Sequence, residues 1–403
     1  MRKIVVIGGG QAASALIGKL VADGTTDGIT LVAAEPHVPY QRPPLSKAYL
    51  LGEMARERLF FRPESWYIDN GVSLRLGIRA VSVDPTARKV ILSDESVLDY
   101  DDLVLTTGAW PRTLPAHIGG TLGKVFAVRD LADADAMAPA FVDGARCLIV
   151  GGGYIGLEAA AVAAKRGVKV TLVEAADRIL QRVAAPETSD YFRELHRKHG
   201  VEIREGVGLE KLTGNDAVSG AILTDGTELE IDFAVVGVGI VPATALADSA
   251  GLTLDNGIAC DQHGRTSDAK IWAAGDCAST PYRGGRVRIE SVGNAIDQAE
   301  IVAQNLMGRD LTYEPHPWFW SDQYDCKLQI AGLNTGYVDV HIKLGDDGAR
   351  SHWYYRGSEL IAVDAMSDAR NYMVGKRLIE MGKSPNPDVI TDPATNMKAL
   401  LKA

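Results

Sequence analysis

"CLIVGGGYIG", residues 147–156, and "IVVIGGGQAA", residues 4–13, share one grammar: an apolar run, a cluster of glycines, then a stretch of small residues. Ile4 to Ile7 and Leu148 to Val150 are rich in β-branched side chains and suit buried strands, while the alanines after the glycines suit helices. Aligned, Gly8-x-Gly10-x-x-Ala13 matches Gly151-x-Gly153-x-x-Gly156, so each copy reads as the strand–turn–helix fingerprint of a dinucleotide site. The first glycine permits the tight turn, and the second lets the backbone approach a pyrophosphate. The third position, small in both copies, lets helix and strand pack closely. A phosphate pair would then lie at the positive end of the helix dipole. One such turn can serve packing alone; two in the same context point to two dinucleotides on one chain.

The fingerprint is completed by an acid at the end of the next strand, which can accept hydrogen bonds from both ribose hydroxyls. "VKVTLVEA" ends in Glu174, 23 residues after Gly151, close to the expected spacing of about 20. In the first copy "ITLVAAEP" puts Ala33 and Ala34 before Glu35, so that acid falls just past the expected strand end. The charge of Glu174 would repel a 2′-phosphate, which favours NADH over NADPH, with Arg178 the nearby residue that could offset it.

The chain has 403 residues, 46 % of them hydrophobic and 23 % charged, with 42 glycines, and this composition belongs to a folded protein of two to four domains. No apolar run reaches the roughly 20 residues that span a bilayer, and "KIVVI" near the start enters a strand without the character of a signal peptide, so a cytoplasmic location is expected. A net charge of −10 argues against nucleic acid as a partner. Cys147, Cys260, Cys277 and Cys326 form no C-x-x-C pair, which suits buried thiols in a reducing compartment rather than a metal or disulfide framework. His196 and His199 in "RELHRKHG" have no cysteine or carboxylate to complete a metal set and are expected on a solvated helix face; no metal site is expected.

"LDYDDLVLTTGAWPR", residues 98–112, and "IDFAVVGVGIVP", residues 231–242, are a second, looser repeat, and each is expected to close one nucleotide domain. "KIWAAGDCAS", residues 270–279, is a strand ending in Gly275-Asp276, where an acid can meet a ribityl or ribose hydroxyl. The helix expected within residues 289–308 could aim the N–H groups of its first turn at a flavin. The reaction that most naturally needs two dinucleotides is hydride transfer between a nicotinamide and a flavin held face to face.

Together with "PYQRPPLSKAYL" (39–50), "GGGYIGLEAAA" and "WFWSDQYDCKLQIAGL" (318–333), these motifs resemble the FAD-dependent NADH:ferredoxin reductases, whose members include putidaredoxin reductase and the reductase components of aromatic-ring dioxygenases. The resemblance implies an α/β fold: two Rossmann-like dinucleotide-binding domains, as in glutathione reductase, and a C-terminal α/β domain. It implies an FAD domain at 1–112 and 241–310, an NAD domain at 113–240 and a C-terminal domain at 311–403. FAD would contact Gly8, Gly10, Ala12, Ala13, Glu35, Arg42, Lys47, Ala80, Thr107, Arg129, Asp276 and Val292. NADH would contact Gly151, Gly153, Ile155, Gly156, Glu174 and Gly239. Lys47 and Glu158 would pair near the flavin N5, with Trp320 beside the ring; a lysine there would stabilise the reduced flavin's negative charge.

The first 146 residues carry no cysteine, so no thiol beside the flavin is expected to relay electrons. Flavin takes two electrons as hydride and can release them singly, which suits an iron–sulfur acceptor. The expected partner is a [2Fe–2S] ferredoxin serving a monooxygenase or dioxygenase, met transiently by a monomer or weak dimer through basic side chains. Lys327, Arg370, Lys376, Arg377 and Lys383 are the candidates. Alternatives on the same scaffold are a rubredoxin, quinone or radical reductase, or a redox-sensing binding protein resembling apoptosis-inducing factor.

Overall fold

The computed structural model describes residues 2–25 and 28–402. The chain separates into two compact units: Met1–Arg42, Ala55–Trp110 and Ile240–Pro317 form one, and Pro43–Met54, Pro111–Gly239 and Trp318–Ala403 the other.

At the centre of the first unit lies Ile4–Ile7, a strand buried along its whole length, which explains why it shows no polar alternation. It heads a parallel sheet ordered Ile271–Ala273, Asp102–Leu105, Ile4–Ile7, Ile29–Ala33, Ser73–Leu76. The helix Gln11–Ala22 buries Leu16, Ile17 and Leu20 in a cluster shared with Val302 and Leu306 of the helix Val292–Leu306. Each such aliphatic side chain contributes roughly 1.5–3 kcal/mol by leaving water. The opposite cluster includes Val5 and Ile7 together with Val83, Val90 and Leu92 of an antiparallel meander, Ala80–Asp84, Lys89–Leu92 and Val97–Asp99.

The second unit repeats this wiring. Its parallel sheet runs Glu202–Glu205, Lys169–Glu174, Arg146–Val150, Phe233–Val236, Val125–Phe126, again with the fingerprint strand central. A meander, Leu209–Gly214, Val218–Leu223 and Glu228–Glu230, again precedes the strand that returns beside the fingerprint strand. The duplicated phrase is therefore a duplicated topology. In the helix Tyr154–Lys165 the alanines 159, 160, 161 and 163 are buried, small enough for close approach to the sheet. The same unit carries a five-stranded antiparallel sheet, Trp318–Gln323, Cys326–Gly332, Glu359–Met366, Arg350–Arg356 and Asp339–Leu344. On it packs the helix Ala369–Glu380, where a Cβ at Gly375 would stand 2.7 Å from Val363 Cγ2.

Candidate functional site: two glycine turns and a buried ion pair

Gly8 has φ +115°, and a Cβ there would lie 2.2 Å from the Thr106 carbonyl oxygen, so only glycine permits this turn. Gly10 is the N-cap of Gln11–Ala22 with no side chain capping it, and a Cβ there would meet nothing nearer than Arg42 Nε at 4.0 Å. The second turn matches: a Cβ at Gly151 (φ +107°) would stand 2.4 Å from the Gly237 oxygen, and one at Gly156 only 2.1 Å from the Gly151 oxygen. Gly153 caps Tyr154–Lys165 with nothing within 4 Å of its missing Cβ. Among the described residues neither helix N-terminus carries a side-chain cap, and both open on space beside the turn, which fits two pyrophosphates.

Around the first turn, Ala12 and Ala13 are buried in the helix, and a Cβ at Gly275 would touch Ala12 Cβ at 3.1 Å. That contact brings Asp276 to the same end of the sheet, and Gln298 Oε1 fixes the turn by accepting from the Gly275 N–H at 2.9 Å. Burial lifts the Asp276 carboxyl to about 7, with Glu290 adding to the rise and Arg288 and Arg42 opposing it. Among the described residues no hydrogen bond reaches this carboxyl, which fits a hydroxyl-bearing ligand chain. Val292 is the first residue of its helix, whose N-cap Ser291 accepts from the Asn294 N–H at 3.2 Å. Ala80 is buried, and Thr107 Oγ1 donates to the Ala243 carbonyl at 2.7 Å. Glu35 lies past the end of Ile29–Ala33, and its carboxylate is held by the Tyr40 hydroxyl and by Arg42 Nη2 at 2.5 Å. Lys47 and Arg129 belong to the second unit, where the Arg129 N–H donates to Asp133 at 2.8 Å.

At the second turn Glu174 ends its strand as expected and folds back on the loop, accepting from the Gly152 N–H at 2.7 Å and the Ala176 N–H at 2.8 Å. Ile155 is 42 % exposed beside Gly153, and Gly239 has φ +99°. Arg178 is occupied: it donates to Ser189 Oγ at 2.6 Å and to the Ala184 carbonyl at 2.9 Å.

The structure brings Lys47 and Glu158 together across 111 residues of sequence, Nζ to Oε2 at 2.7 Å. Glu158 is buried, and it also accepts from Ser46 Oγ at 3.1 Å and from Ser321 Oγ at 2.7 Å. Trp320 is half-buried and stacks on Trp318, with ring centres 5.6 Å apart. The two serines are functional candidates the motifs did not disclose. Ser321 had a faint signal, because strand alternation in "WSDQ" sets Ser321 and Gln323 on the face opposite Trp320.

His196 corrects an expectation. It is fully buried, its Nε2 2.7 Å from Gln323 Oε1, because it continues the inward row of Ser189 and Phe192 on the helix Pro186–Lys198. His199, just past that helix, is exposed and stacks on Tyr324 with ring centres 3.6 Å apart. A second buried polar cluster joins Thr188 Oγ1 to His352 Nδ1 at 2.8 Å and to Asp364 Oδ2 at 2.9 Å. Among the described residues no His, Cys, Asp or Glu group could hold a metal. All four cysteines are buried, and burial raises the pKa of each thiol.

Burial pulls both His196 and His352 down from 6.5 to about 4. Above pH 6.5 both states are neutral and this stability is complete; as pH falls from 6.5 to 4 only the unfolded chain gains the proton, and each ring loses stability on the order of 3 kcal/mol. Burial lifts Asp364 from 3.8 to about 6, so it opposes them, its folded form holding the proton more tightly within that window. Asp276, lifted to about 7, opposes them in the same way, so the histidine contribution is read as a difference between two proteins. Urea unfolding of wild type and His196→Gln is expected to show the variant gaining on the order of 3 kcal/mol relative to wild type as pH falls from about 7 to about 4. An equal pH dependence in the two proteins would contradict the assignment.

Residues 2–299 match the pyridine nucleotide-disulphide oxidoreductase family, and residues 318–401 match the reductase C-terminal family. The chain belongs to the pyridine nucleotide-disulphide oxidoreductases. Within that family it is 40 % identical to rhodocoxin reductase of Rhodococcus erythropolis over 396 residues, 96 % of this chain and 92 % of that protein. It is 39 % identical to the ferredoxin reductase subunit of a 5,5′-dehydrodivanillate O-demethylase from Sphingobium sp., over 99 % of this chain and 98 % of that one. Among solved structures, the covalent putidaredoxin reductase–putidaredoxin complex superposes with a TM-score of 0.96 at 36 % identity, covering 100 % of this chain and 98 % of its counterpart. Among the described residues, no helix of this oxidoreductase is long and apolar enough to cross a membrane.

Proposed function

We propose that this oxidoreductase takes electrons from NADH through bound FAD and delivers them to a [2Fe–2S] ferredoxin serving a monooxygenase or dioxygenase, in the cytoplasm. Bound FAD would supply the chemistry by accepting hydride from NADH and releasing electrons one at a time. The observation that carries the reading is the pairing of two dinucleotide turns with four cysteines that are all buried, so no accessible thiol stands ready to receive the electrons. Ferredoxin reductases among the relatives, and a relative solved with its putidaredoxin, support the choice of acceptor.

The domains follow as FAD-binding at 1–112 and 241–310, NAD-binding at 113–240 and a C-terminal domain at 311–403. Gly8, Gly10, Ala12, Ala13 and Asp276 would hold FAD, with Arg42, Ala80, Thr107, Arg129 and Val292 around it and Glu35 acting through Arg42. Gly151, Gly153, Ile155, Gly156 and Gly239 would hold NADH, and Glu174 would set its selectivity. Lys47, kept oriented by Glu158, would lend positive charge to the reduced flavin, beside Trp320.

Arg178 is tied to Ser189 and Ala184 rather than to Glu174, which supports NADH over NADPH. Replacing Glu174 by Arg is expected to lower the NADH-over-NADPH preference in kcat/KM by about a hundredfold, on the order of 3 kcal/mol. A wild type that uses both equally would remove the basis of this reading.

Of the candidate docking cations, Lys327, Arg370 and Arg377 are exposed, and the last two are seven residues apart on one face of Ala369–Glu380. Lys376 leans over the Trp318 ring at 5.4 Å, and Lys383 Nζ donates to the Leu401 carbonyl at 3.1 Å. Reversing the charge of Arg370 and Arg377 together is expected to raise the KM for ferredoxin about tenfold at low salt and to leave flavin reduction by NADH unchanged. Unaltered ferredoxin kinetics would place the docking surface elsewhere.

A further inference from the structure

Glu158 is the last member of a longer buried chain. Its Oε1 accepts from Ser321 Oγ at 2.7 Å; Ser321 Oγ accepts from Gln323 Nε2 at 3.1 Å; Gln323 Oε1 faces His196 Nε2 at 2.7 Å; and His196 Nδ1 faces the Tyr324 hydroxyl at 3.2 Å. Glu158, Ser321, Gln323 and His196 are all buried, the last three completely or nearly so. The donors follow by elimination. A carboxylate only accepts, so the one hydroxyl proton of Ser321 points at Glu158. Ser321 must then accept from the Gln323 amide nitrogen, which turns the amide oxygen toward His196. The imidazole therefore donates through Nε2, and its Nδ1 accepts from Tyr324.

Every hydrogen bond in the row is consequently directed toward Glu158, and each polarises the next. Burial pulls His196 to about 4, so at neutral pH the ring holds this single-donor form and adds no charge beside the ion pair. The row does not suit proton conduction, since a carboxamide passes a proton only by becoming its imidic acid. It does suit holding a carboxylate still. Glu158 sits on the helix Tyr154–Lys165, His196 on Pro186–Lys198, and Ser321 and Gln323 on Trp318–Gln323. The row ties three elements to one oxygen, while Lys47 and Ser46 hold the other.

We propose that His196, Gln323 and Ser321 are positioning residues, a hydrogen-bonded strut that fixes the Glu158 carboxylate and, through it, the ammonium of Lys47. Its bearing on the flavin rests on the function proposed above; its bearing on Lys47 does not.

The test uses the FAD-loaded protein and two readouts: the rate at which acetyl N-hydroxysuccinimide ester acylates Lys47, followed by mass spectrometry, and the midpoint potential of the bound flavin. His196→Leu and Gln323→Leu each remove a link and are expected to raise the Lys47 acylation rate about five- to tenfold, the effect of one lost buried hydrogen bond. His196→Gln keeps a nitrogen donor near the Nε2 position and is expected to stay within about twofold of wild type. Tyr324→Phe removes only the terminal donor without altering the core, and its expected rise of about twofold keeps the proposal testable should the leucine variants fail to fold. Raised acylation that the glutamine restores, with the flavin potential moving in the same order, supports both the strut and a Lys47 that serves the flavin. The same acylation pattern with an unmoved potential supports the strut and rejects Lys47 as a flavin partner. Folded variants that acylate at the wild-type rate, or a glutamine variant as reactive as the leucine one, overturn the strut.

Discussion

Gly8→Ala is expected to yield a protein without its yellow colour. The new methyl would sit 2.2 Å from the Thr106 carbonyl oxygen at a backbone φ of +115°, so the turn must open where the FAD pyrophosphate would bind. Strain and overlap together are on the order of 3 kcal/mol or more, enough to displace a cofactor held by that turn. Gly156→Ala gives the complementary result. Its methyl would meet the Gly151 oxygen at 2.1 Å in the other turn, so that variant is expected to remain yellow yet resist bleaching by NADH. Gly382→Ala, at φ +64° with open space around it, is the control and should cost about 1 kcal/mol of stability with both cofactors retained. Absorbance of the purified proteins, then anaerobic NADH titration, reads all three. A yellow Gly8→Ala protein would show that the first turn is not the FAD site.

The second large effect concerns the ion pair. Removing Glu158 by Glu158→Ala leaves the Lys47 ammonium and two serine hydroxyls without their shared acceptor in a buried place. Breaking such a pair costs about 3 kcal/mol when one partner stays somewhat open to solvent, a fall in Tm of roughly 4 °C for a chain of this length. The double variant Lys47→Met/Glu158→Leu removes both charges and should regain most of that stability. It should not regain the rate of flavin reduction, which is expected to stay at least about tenfold down for want of the positive charge. Thermal melts and single-turnover reduction separate the two consequences. Recovery of both together would assign the pair to structure alone.

How much of this was legible before folding differs from residue to residue. The two turns were readable because glycine is nearly irreplaceable where a carbonyl stands 2.1–2.4 Å from the missing Cβ, as it does at Gly8, Gly151 and Gly156. Glu174 was readable because a strand and a helix of ordinary length fix its distance from the first glycine. Glu35 was readable only as an acid beyond its strand; that Tyr40 and Arg42 would take up its carboxylate depends on where the next loop travels. Lys47 and Glu158 could be paired only by family resemblance, since 111 residues separate them and no local pattern links them. His196 was misread because two histidines three apart can lie on either side of a helix boundary of burial. What decides is the inward row of Ser189, Phe192 and His196 and the presence of Gln323 to receive the ring. The cluster of Thr188, His352 and Asp364 left no local trace at all.

The central claim, that electrons pass from NADH through FAD to a ferredoxin, is tested most directly by anaerobic stopped-flow in two mixings. FAD-loaded protein is first mixed with NADH and then with excess oxidised [2Fe–2S] ferredoxin, with flavin and iron–sulfur absorbance followed separately. The account predicts that NADH bleaches the flavin while equimolar NADPH does so at least about a hundredfold more slowly. It further predicts that the flavin colour returns in step with ferredoxin reduction, two ferredoxins for each flavin, because each iron–sulfur cluster takes one electron. A flavin that NADH bleaches but that no [2Fe–2S] ferredoxin reoxidises, while a rubredoxin or quinone does, would contradict it.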